Sequence, residues 1–281
     1  MSEYAGRYVL VTGAASGIGR RMALRIAREG AHLVLWDVNA RGAEEVRDEI
    51  VAAGGRASAY ACNLADRREI ATVAARTLRE CGRVDILVNN AGVVSGKTLL
   101  DASEDDVLRT FDVNALALFW TTRAFLPAMM ARDSGHVVTI ASAAGIVGTS
   151  RLVDYCASKH AAVGFDEALR LELKRQGSRV QTTVVCPFYV STGMFAGVKT
   201  RFRFLLPILD PDYVTERIVD AIRRDRRRLV LPRFVYATWL VRVLPVPVFD
   251  ALMELFGVNK SMDDFTGRVA QPAPGRERVA G

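Results

Sequence analysis

The sequence contains few of the residues that build metal centres or disulfide frameworks. Its 281 residues include four cysteines and three histidines. The cysteines, at positions 62, 81, 156 and 186, share no close spacing, and the histidines form no cluster. We therefore predict no metal site and no disulfide scaffold, and we expect a reducing compartment. Cys156 has no cysteine or metal partner in the pattern, so we interpret it as a packing residue.

Long apolar runs are also missing. No stretch is long enough to span a bilayer, and the start, MSEYAGRYVLVTG, lacks the basic-then-apolar layout of a signal peptide. We therefore expect a cytoplasmic protein, with a peripheral contact at the inner membrane surface as the alternative. A length of 281 residues with 50% hydrophobic side chains fits one large domain with a full core.

The positive charge is unevenly distributed. The net charge is +7, and +5 of it falls on residues 199–281, notably on the run RRDRRR at 223–228. Such a run can bind nucleic acid or an anionic membrane, or it can be the solvated end of a helix, where cations are favoured. No nucleic-acid-binding module accompanies it, so we favour the helix end and expect no nucleic-acid partner.

Short β-rich apolar runs alternate with longer helical patterns over the first two thirds of the chain. The predicted strands are 7–13, 31–37, 56–63, 84–92, 135–142, 179–187 and 228–232. The predicted helices are 17–29, 40–53, 66–81, 103–132, 154–176 and 211–224. Continuous apolar strands that alternate with helices indicate an α/β fold, a single doubly wound (Rossmann) domain with a parallel sheet covered on both faces.

We divide the chain on this basis into three regions. Residues 1–232 form the predicted doubly wound domain, which includes a flap at about 188–210. Residues 233–267 form an apolar C-terminal extension, and the Pro/Gly/Arg-rich tail 268–281 is predicted to be disordered.

A glycine-rich turn follows the first predicted strand and opens the first helix. The motif TGAASGIG, residues 12–19, has its glycines at 13, 17 and 19. Glycines permit a tight turn and let a pyrophosphate approach the backbone at a helix N-terminus, which favours an anion. We therefore predict a dinucleotide site, with cofactor contacts at Gly13, Ser16, Gly17, Ile18 and Gly19.

Asp37 ends the second predicted strand. A carboxylate here can accept hydrogen bonds from both adenosine ribose hydroxyls and repels a 2′-phosphate, which favours NAD and makes NADP the alternative. The other interpretation of Asp37 is a helix cap, although Asn39 can do that work. A nearby arginine, Arg41, is the residue that could accept the phosphate of NADP.

Polar residues collect where the later strands end. Asn89 and Ser142 follow the fourth and fifth strands, and the motif YCASK places Tyr155 and Lys159 one turn apart on a helix. Ligands of an open parallel sheet bind at the carboxyl ends of its strands, so these groups should converge. A neighbouring ammonium should lower the phenol pKa and suit Tyr155 to proton transfer. Alone, the pair could be an exposed tyrosine and an ordinary surface lysine.

The combination of TGAASGIG, NNAG (89–92), Ser142, YCASK and PFYVST (187–192) resembles the short-chain dehydrogenase/reductase family over residues 5–232. The resemblance implies a sheet with strand order 3-2-1-4-5-6-7. It implies that Tyr155 is the general acid/base, that Lys159 lowers its pKa and binds the nicotinamide ribose, and that Ser142 hydrogen-bonds the substrate oxygen. It also implies that Asn114 holds a water that links Lys159 to solvent, and that hydride moves directly between substrate and nicotinamide.

The same resemblance supplies the remaining cofactor contacts. They are Asn63, Leu64, Asn90, Ala91, Gly92, Tyr155, Lys159, Pro187, Val190 and Thr192, the last at the carboxamide. Two positions depart from the common pattern. Phe188 stands where many members have glycine, and Asn63 stands where an aspartate often binds the adenine amino group. An asparagine carbonyl can still accept that bond.

The flap is unusually apolar, and it includes Phe188, Tyr189, Phe195, Phe202 and Phe204. It suits a lipophilic substrate, although packing within the fold is the alternative. The flap and the segment GVNKSMDDFTGR, residues 257–268, resemble the subgroup of epidermal retinol dehydrogenases and lipid-droplet hydroxysteroid dehydrogenases. That subgroup implies NAD(H)-linked interconversion of a retinoid-, steroid- or long-chain-like alcohol and its carbonyl.

Other interpretations remain open at the level of sequence. The enzyme could reduce acyl or small carbonyl compounds, or the chain could be a non-catalytic cofactor-binding or lipid-surface protein. The apolar extension around Trp239 could lie on a membrane surface, or pack over the substrate cleft or a dimer face. Prolines 245 and 247 break it into pieces too short to span a bilayer. We expect a homo-oligomer, a dimer or a tetramer.

Overall fold

The computed structural model describes residues 4–267, which form one seven-stranded parallel sheet. The order β3-β2-β1-β4-β5-β6-β7 confirms the predicted Rossmann topology. The strands are β1 Tyr8–Thr12, β2 His32–Asp37, β3 Arg56–Ala61, β4 Ile86–Asn89, β5 His136–Ile140, β6 Gln181–Pro187 and β7 Arg228–Leu231. The chain order reverses beside β1 and β4, so a crevice opens at their carboxyl ends.

The central strands are apolar at most positions because both faces of the sheet are buried. In β1, Val9 and Val11 belong to one core cluster, and Leu10, which points to the other face, belongs to a second. β2 behaves in the same way, with Leu33 and Leu35 on one side and Trp36 on the other. A run without polar alternation is therefore what a sheet covered on both faces requires.

The helices are α1 Gly17–Ala27, α2 Ala40–Ala52, α3 Arg67–Cys81, α4 Glu104–Phe111, α5 Ala117–Ala131, α6 Val153–Arg175, α7 Pro211–Arg223, α8 Ala237–Val241 and α9 Val246–Leu255. Helices α1 to α3, α6 and α7 begin and end close to the predicted bounds, whereas no bounds were predicted for α8 and α9. Side-chain caps fix several of the starts. The Asp66 carboxylate accepts hydrogen bonds from two amides of the first turn of α3, and Ser103 forms a capping box at α4.

The predicted helical stretch 103–132 is interrupted in the structure. A π-helical turn, Asp112–Leu116, separates α4 from α5 and contains Asn114. An α-helix and a π-turn share nearly the same apolar pattern, so the sequence does not distinguish them. Single π-turns inside helices are frequent at functional sites, and this one faces the crevice at the strand ends.

The C-terminal extension consists of short pieces. A 3-10 turn at Arg233–Tyr236 leads into α8, and Pro245 and Pro247 lie at the start of α9. Within residues 4–267, the helices are each too short or too polar to cross a membrane. The tail 268–281, predicted to be disordered, lies outside the described residues. The division into a domain 1–232 and an extension 233–267 stays a prediction.

The arginine run lies at the end of α7 and the start of β7, and most of it is engaged in ion pairs. Arg223 pairs with Glu29, Arg224 with Asp220, and Arg228 with Glu167. The Arg228 guanidinium also lies 5.1 Å from the centroid of the Trp239 ring. These contacts support the interpretation of the run as a solvated helix end.

Candidate active site

A cavity of about 540 Å³ opens at the carboxyl ends of the strands, and the predicted cofactor residues line it. Its volume lies within the range of about 300–1,000 Å³ typical of small-molecule sites. The predicted residues in its wall are Gly13, Ser16, Gly17, Ile18, Asp37, Asn63, Leu64, Asn90, Ala91, Gly92, Ser142, Tyr155, Lys159, Pro187, Val190 and Thr192. Two other predicted residues, Gly19 and Asn114, lie behind the wall.

The glycine turn is packed too tightly for any other residue. Gly13 has a φ of +65°, and a Cβ there would lie 2.9 Å from the Cα of Ala91. A Cβ on Gly19 would lie 2.1 Å from the carbonyl oxygen of Gly13. Gly19 therefore lets α1 pack closely against the turn, and the start of the helix is aimed into the cavity, as an anionic pyrophosphate requires.

A buried threonine joins the two strands that flank the crevice. The Thr12 hydroxyl accepts hydrogen bonds from the amides of Asn90 (3.0 Å) and Ala91 (3.1 Å). The Asn90 side chain donates in return to the carbonyl oxygens of Thr12 and Gly13. The NNAG segment is thus held against the glycine turn, and its backbone forms the floor of the cavity.

Asp37 lies at the end of β2 in the cavity wall. Its carboxylate accepts hydrogen bonds from the amides of Ala15 and Asn39, both at 2.9 Å. Asn39, as the sequence allowed, caps α2 by accepting from the Gly42 amide. Arg41 pairs with Glu45 and is not among the residues that line the cavity. The charge beside the cavity at this end of β2 is therefore the carboxylate of Asp37.

Asn63 lies in the same end of the cavity, where it stabilises its own loop. Its side-chain oxygen accepts a hydrogen bond from the Ala65 amide at 3.0 Å. A carbonyl oxygen has two lone pairs, so one stays available for an exocyclic amino group. Asn63, in place of an aspartate, thus keeps a hydrogen-bond acceptor at this position and removes the negative charge.

Ser142, Tyr155 and Lys159 converge on the other end of the cavity. α6 presents Tyr155 and Lys159 on one face, with the ammonium 5.7 Å from the centroid of the phenol ring. The Ser142 hydroxyl, at the end of β5, lines both cavities together with the Tyr155 phenol and donates to the carbonyl oxygen of Pro187 at 3.4 Å. It also accepts from the Ala144 amide at 3.1 Å. The Lys159 ammonium donates to the carbonyl oxygen of Ile140 at 2.9 Å.

Burial dominates the protonation of this group. Both Tyr155 and Lys159 are 4% exposed. Burial raises the pKa of the Tyr155 phenol above its ordinary value, and the Ser142 side chain opposes that rise. Burial lowers the pKa of Lys159 to about 8. Burial is therefore the largest influence on the phenol pKa in the chain alone, and the lowering of that pKa by Lys159 stays a prediction.

Asn114 is buried in the π-turn and fixes the wall between α4 and the cavity. Its side chain accepts from the Val93 amide (2.8 Å) and donates to the Val93 carbonyl (2.9 Å). It also lies 3.1 Å from the Ser158 hydroxyl. A Cβ on Gly92 would lie 3.3 Å from the Asn114 side-chain oxygen and 3.5 Å from the Lys159 ammonium. The side chains of Asn114 and Lys159 therefore both lie next to Gly92.

A second cavity, of about 160 Å³, meets the first at Ser142 and Tyr155. Its wall is almost wholly apolar. The flap contributes Phe188, Phe195 and Leu206, and the C-terminal extension contributes Phe234, Val241, Leu252, Met253 and Phe256. The inner face of the extension therefore covers this cavity, which is one of the two alternatives that the sequence left open.

The sequence analysis gave Arg109 no role in the site and named Phe195 only as a residue of the flap. Arg109, in α4, lines the larger cavity together with Asn63 and Leu64. Phe195 lines both cavities, and its ring meets the Tyr155 ring edge-on at a centroid distance of 5.6 Å. The apolar composition of the flap was the only signal for Phe195, and Arg109 had none, because an exposed helical arginine is unremarkable in sequence.

Comparison with known proteins agrees with this geometry. The family model described as short chain dehydrogenase matches residues 7–201. Epidermal retinol dehydrogenase 2 of Mus musculus is 45% identical over 267 residues, which cover 94% of this chain and 86% of that relative. Retinol dehydrogenase 10 of Rattus norvegicus is 38% identical, over 99% of this chain and 90% of its own length.

Two solved structures show the same fold with a nicotinamide cofactor. A short chain dehydrogenase/reductase from Burkholderia phymatum in complex with NAD has a TM-score of 0.78 at 28% identity, over 86% of this chain and 95% of its own. A metagenomic short-chain oxidoreductase in complex with NADP has a TM-score of 0.69 at 31% identity, over 82% and 98%.

Fold, cavity and comparisons together define a Rossmann-type oxidoreductase that acts on CH–OH groups. The chain belongs to the short-chain dehydrogenase family, and its similarity to the retinol dehydrogenases extends over nearly its whole length. The resemblance inferred from the motifs is confirmed. The structural relatives bind NAD in one case and NADP in the other.

Proposed function

We propose that the protein is an NAD(H)-dependent oxidoreductase that interconverts a lipophilic alcohol and its carbonyl. One observation carries the proposal. Ser142 and Tyr155 form the common wall of a dinucleotide-sized cavity and an apolar cavity. A substrate bound on the apolar side would present its oxygen to both hydroxyls, next to the place where a nicotinamide would lie.

In this proposal the chain's own residues orient the substrate and move the proton. Bound nicotinamide supplies or accepts the hydride. Ser142 hydrogen-bonds the substrate oxygen, and Tyr155 donates a proton to it in reduction or takes one from it in oxidation. The Lys159 ammonium binds the nicotinamide ribose and favours the phenolate when oxidation requires it. Asn114 holds the water that passes protons onward from Lys159.

Support for NAD over NADP comes from the charge around β2. The Asp37 carboxylate lies in the cavity wall, while Arg41 is paired with Glu45 and directed elsewhere. A negative charge at this point repels a 2′-phosphate and can accept from ribose hydroxyls. Thr192, at the other end of the cavity, is proposed to contact the carboxamide.

Support for a lipophilic substrate comes from the second cavity and from the relatives. Most of the cavity wall consists of aromatic and aliphatic side chains, which cannot satisfy the several hydroxyl groups of a sugar or a small acid. Two relatives that match nearly the whole chain, at 45% and 38% identity, are named as retinol dehydrogenases. A retinoid-, steroid- or long-chain-like alcohol fits this lining. The apolar lining therefore disfavours the alternative function, a reductase of small carbonyl compounds.

A peripheral membrane contact is the second part of the proposal. The outer side of the α8–α9 tip, which consists of Leu240, Val243, Leu244, Val246 and Val248, is exposed. Val243 is 84% exposed and Leu240 is 77% exposed, with Arg233 and Arg242 exposed nearby. Apolar side chains beside cations suit an interface with anionic lipid. Assembly into a homo-oligomer stays a prediction.

The test is a panel of alcohols assayed with NAD by the absorbance of the reduced nicotinamide. We expect turnover of retinoid, steroid or long-chain secondary alcohols, and little turnover of glycerol or lactate. Val241→Trp should fill the apolar cavity and suppress turnover, whereas Val51→Trp, on the exposed side of α2, should not. Preferential oxidation of the small polar alcohols would refute the substrate class.

A further inference from the structure

The last described residues, 258–267, form a strap that is bound to the flap. The Lys199 amide donates to the carbonyl of Ser261 (3.1 Å), and the Thr266 amide donates to the carbonyl of Ala196 (2.9 Å). The Lys199 ammonium pairs with the Asp264 carboxylate at 2.7 Å. A Cβ on Gly197 would lie 1.9 Å from the Asp264 carbonyl oxygen, so backbone packs directly on backbone here. The flap and the strap are therefore joined by backbone hydrogen bonds, an ion pair and direct backbone packing.

A buried hydrogen bond with a defined direction adds to this attachment. The Ser261 hydroxyl donates its one proton to the carbonyl of Val258 at 2.7 Å. The Tyr189 hydroxyl, 2.8 Å away, must therefore be the donor to Ser261. Both residues are buried, so loss of either partner would leave an unpaired polar atom. This bond fixes Tyr189, and the Tyr189 ring packs edge-on against Phe195 at 5.1 Å.

Phe265 anchors the strap to the opposite wall of the site. Its ring occupies the space beside Gly96, in the loop after β4, where a Cβ would lie 1.9 Å from a ring carbon. The same ring lies 6.4 Å from Phe195, which in turn meets Tyr155. Phe265, Phe195 and Tyr155 belong to one cluster of packed side chains. A continuous set of ring contacts thus runs from a socket at Gly96 to the phenol.

We propose that Phe265 is a positioning residue for Tyr155, which it orients through Phe195, with Gly96 as its socket. The proposal rests on the proposed role of Tyr155. Phe195 lines both cavities, so its orientation also sets how the apolar cavity opens onto the phenol. The edge-on contact between Phe195 and Tyr155 restrains the phenol ring in angle as well as in distance. Small displacements of a reacting group reduce turnover strongly, so the strap should affect chemistry without touching the cofactor.

The test compares Phe265→Ala with Phe249→Ala, a half-buried phenylalanine of α9 that lies outside this cluster. We expect Phe265→Ala to lower kcat about 10-fold or more while the NADH dissociation constant changes by less than about twofold. Phe249→Ala should leave kcat within about twofold of the wild type. Should Phe265→Ala fail to fold, Phe265→Leu carries the same test, since it removes the ring but keeps most of the apolar volume.

A double-mutant cycle separates positioning from general damage. Gly96→Ala should displace the Phe265 ring and lower kcat, but should add less than about twofold in the Phe265→Ala background. Additive effects, or wild-type kcat in Phe265→Ala, would overturn the proposal. If the wild type oxidises no alcohol in the panel, the proposed function fails by itself. A crystal structure of Gly96→Ala then decides the positioning claim, which an unmoved Phe195 ring would refute.

Discussion

At the scale of the residue, Tyr155 poses an energetic problem. Its phenol is buried, and burial raises its pKa, so the neutral form dominates in the chain alone. A neutral phenol is the form required to donate a proton during carbonyl reduction. Alcohol oxidation requires the phenolate, which Ser142 favours because it lowers the pKa of the phenol, and which the Lys159 ammonium is proposed to favour. The raised pKa of Tyr155 therefore favours carbonyl reduction, in which the neutral phenol donates its proton.

The pH dependence of carbonyl reduction should report Lys159. Its pKa is lowered to about 8 by burial, so the ammonium is present below that pH and lost above it. Tyr155 stays protonated across this window because its pKa is raised. We expect kcat/KM for reduction to fall as the pH rises through about 8. Lys159→Met should have low activity, and its kcat/KM should not fall as the pH rises through about 8. If that fall persists in Lys159→Met, the titration belongs to another group.

The charge of Asp37 should determine cofactor preference. Asp37→Asn keeps an oxygen that can accept from the Ala15 amide but removes the charge that repels a 2′-phosphate. We expect the ratio of kcat/KM for NAD to that for NADP to fall about 10-fold, which corresponds to about 1.4 kcal/mol. Asp48→Asn, an exposed position on α2, serves as the control. An unchanged ratio in Asp37→Asn would remove the assignment.

At the scale of the element, α6 carries both the reacting phenol and a buried carboxylate. Asp166 faces β6, where Thr182 donates to one carboxylate oxygen at 3.5 Å. The other oxygen has no hydrogen-bond partner among the described residues. Burial raises the pKa of Asp166 to about 7, against the opposing influence of Arg170 and Arg228. The ionised carboxylate is therefore a source of instability at the centre of this helix.

Replacement of Asp166 should stabilise the protein in a pH-dependent way. Because its folded pKa is raised, stability from the neutral carboxyl is present below about pH 4 and lost as the pH rises to about 7. Asp166→Asn should raise the melting temperature by roughly 5 °C at pH 8 and by much less at pH 5. Glu172→Gln, at an exposed position of the same helix, is the control. An equal gain at both pH values would contradict the titration.

The elements themselves were largely predictable, and the reason is physical. β1 and β4 are recognisable because strands buried on both faces need uninterrupted apolar residues. The glycine turn is recognisable because Gly13 and Gly19 have no room for a Cβ. The π-turn at Asn114 was not predictable, since its apolar spacing matches that of an α-helix. The raised pKa of Tyr155 was also missed, because burial is set by tertiary packing and not by the local motif.

At the scale of the whole molecule, the C-terminal extension has two different faces. Its inner face, with Val241 and Met253, lines the apolar cavity, and its outer face at the α8–α9 tip is exposed. The sequence showed only that the segment was apolar. The contact between Phe265 and Gly96 likewise joins distant parts of the chain, and no local sequence pattern predicts it. Function at this scale depends on contacts that appear only in the folded chain.

The outer face should bind anionic membranes. We expect the full chain to sediment with phosphatidylserine-containing vesicles at low salt and less so at high salt, where the cations are screened. Val243→Glu should abolish binding, because it places a carboxylate at the most exposed position of the tip. Leu100→Glu, at a side chain that is 95% exposed elsewhere on the surface, should bind like the wild type. Sedimentation of Val243→Glu at the wild-type level would refute this contact.

The proposed chemistry is tested most directly by the activity of a variant that lacks a single oxygen atom, the hydroxyl of Tyr155. Tyr155→Phe should lower turnover of lipophilic alcohols about 100-fold or more while NADH still binds. Tyr60→Phe removes the hydroxyl of another buried phenol, outside the two cavities, and should keep full activity. Wild-type turnover in Tyr155→Phe would contradict the account, because the proton would then travel through another group.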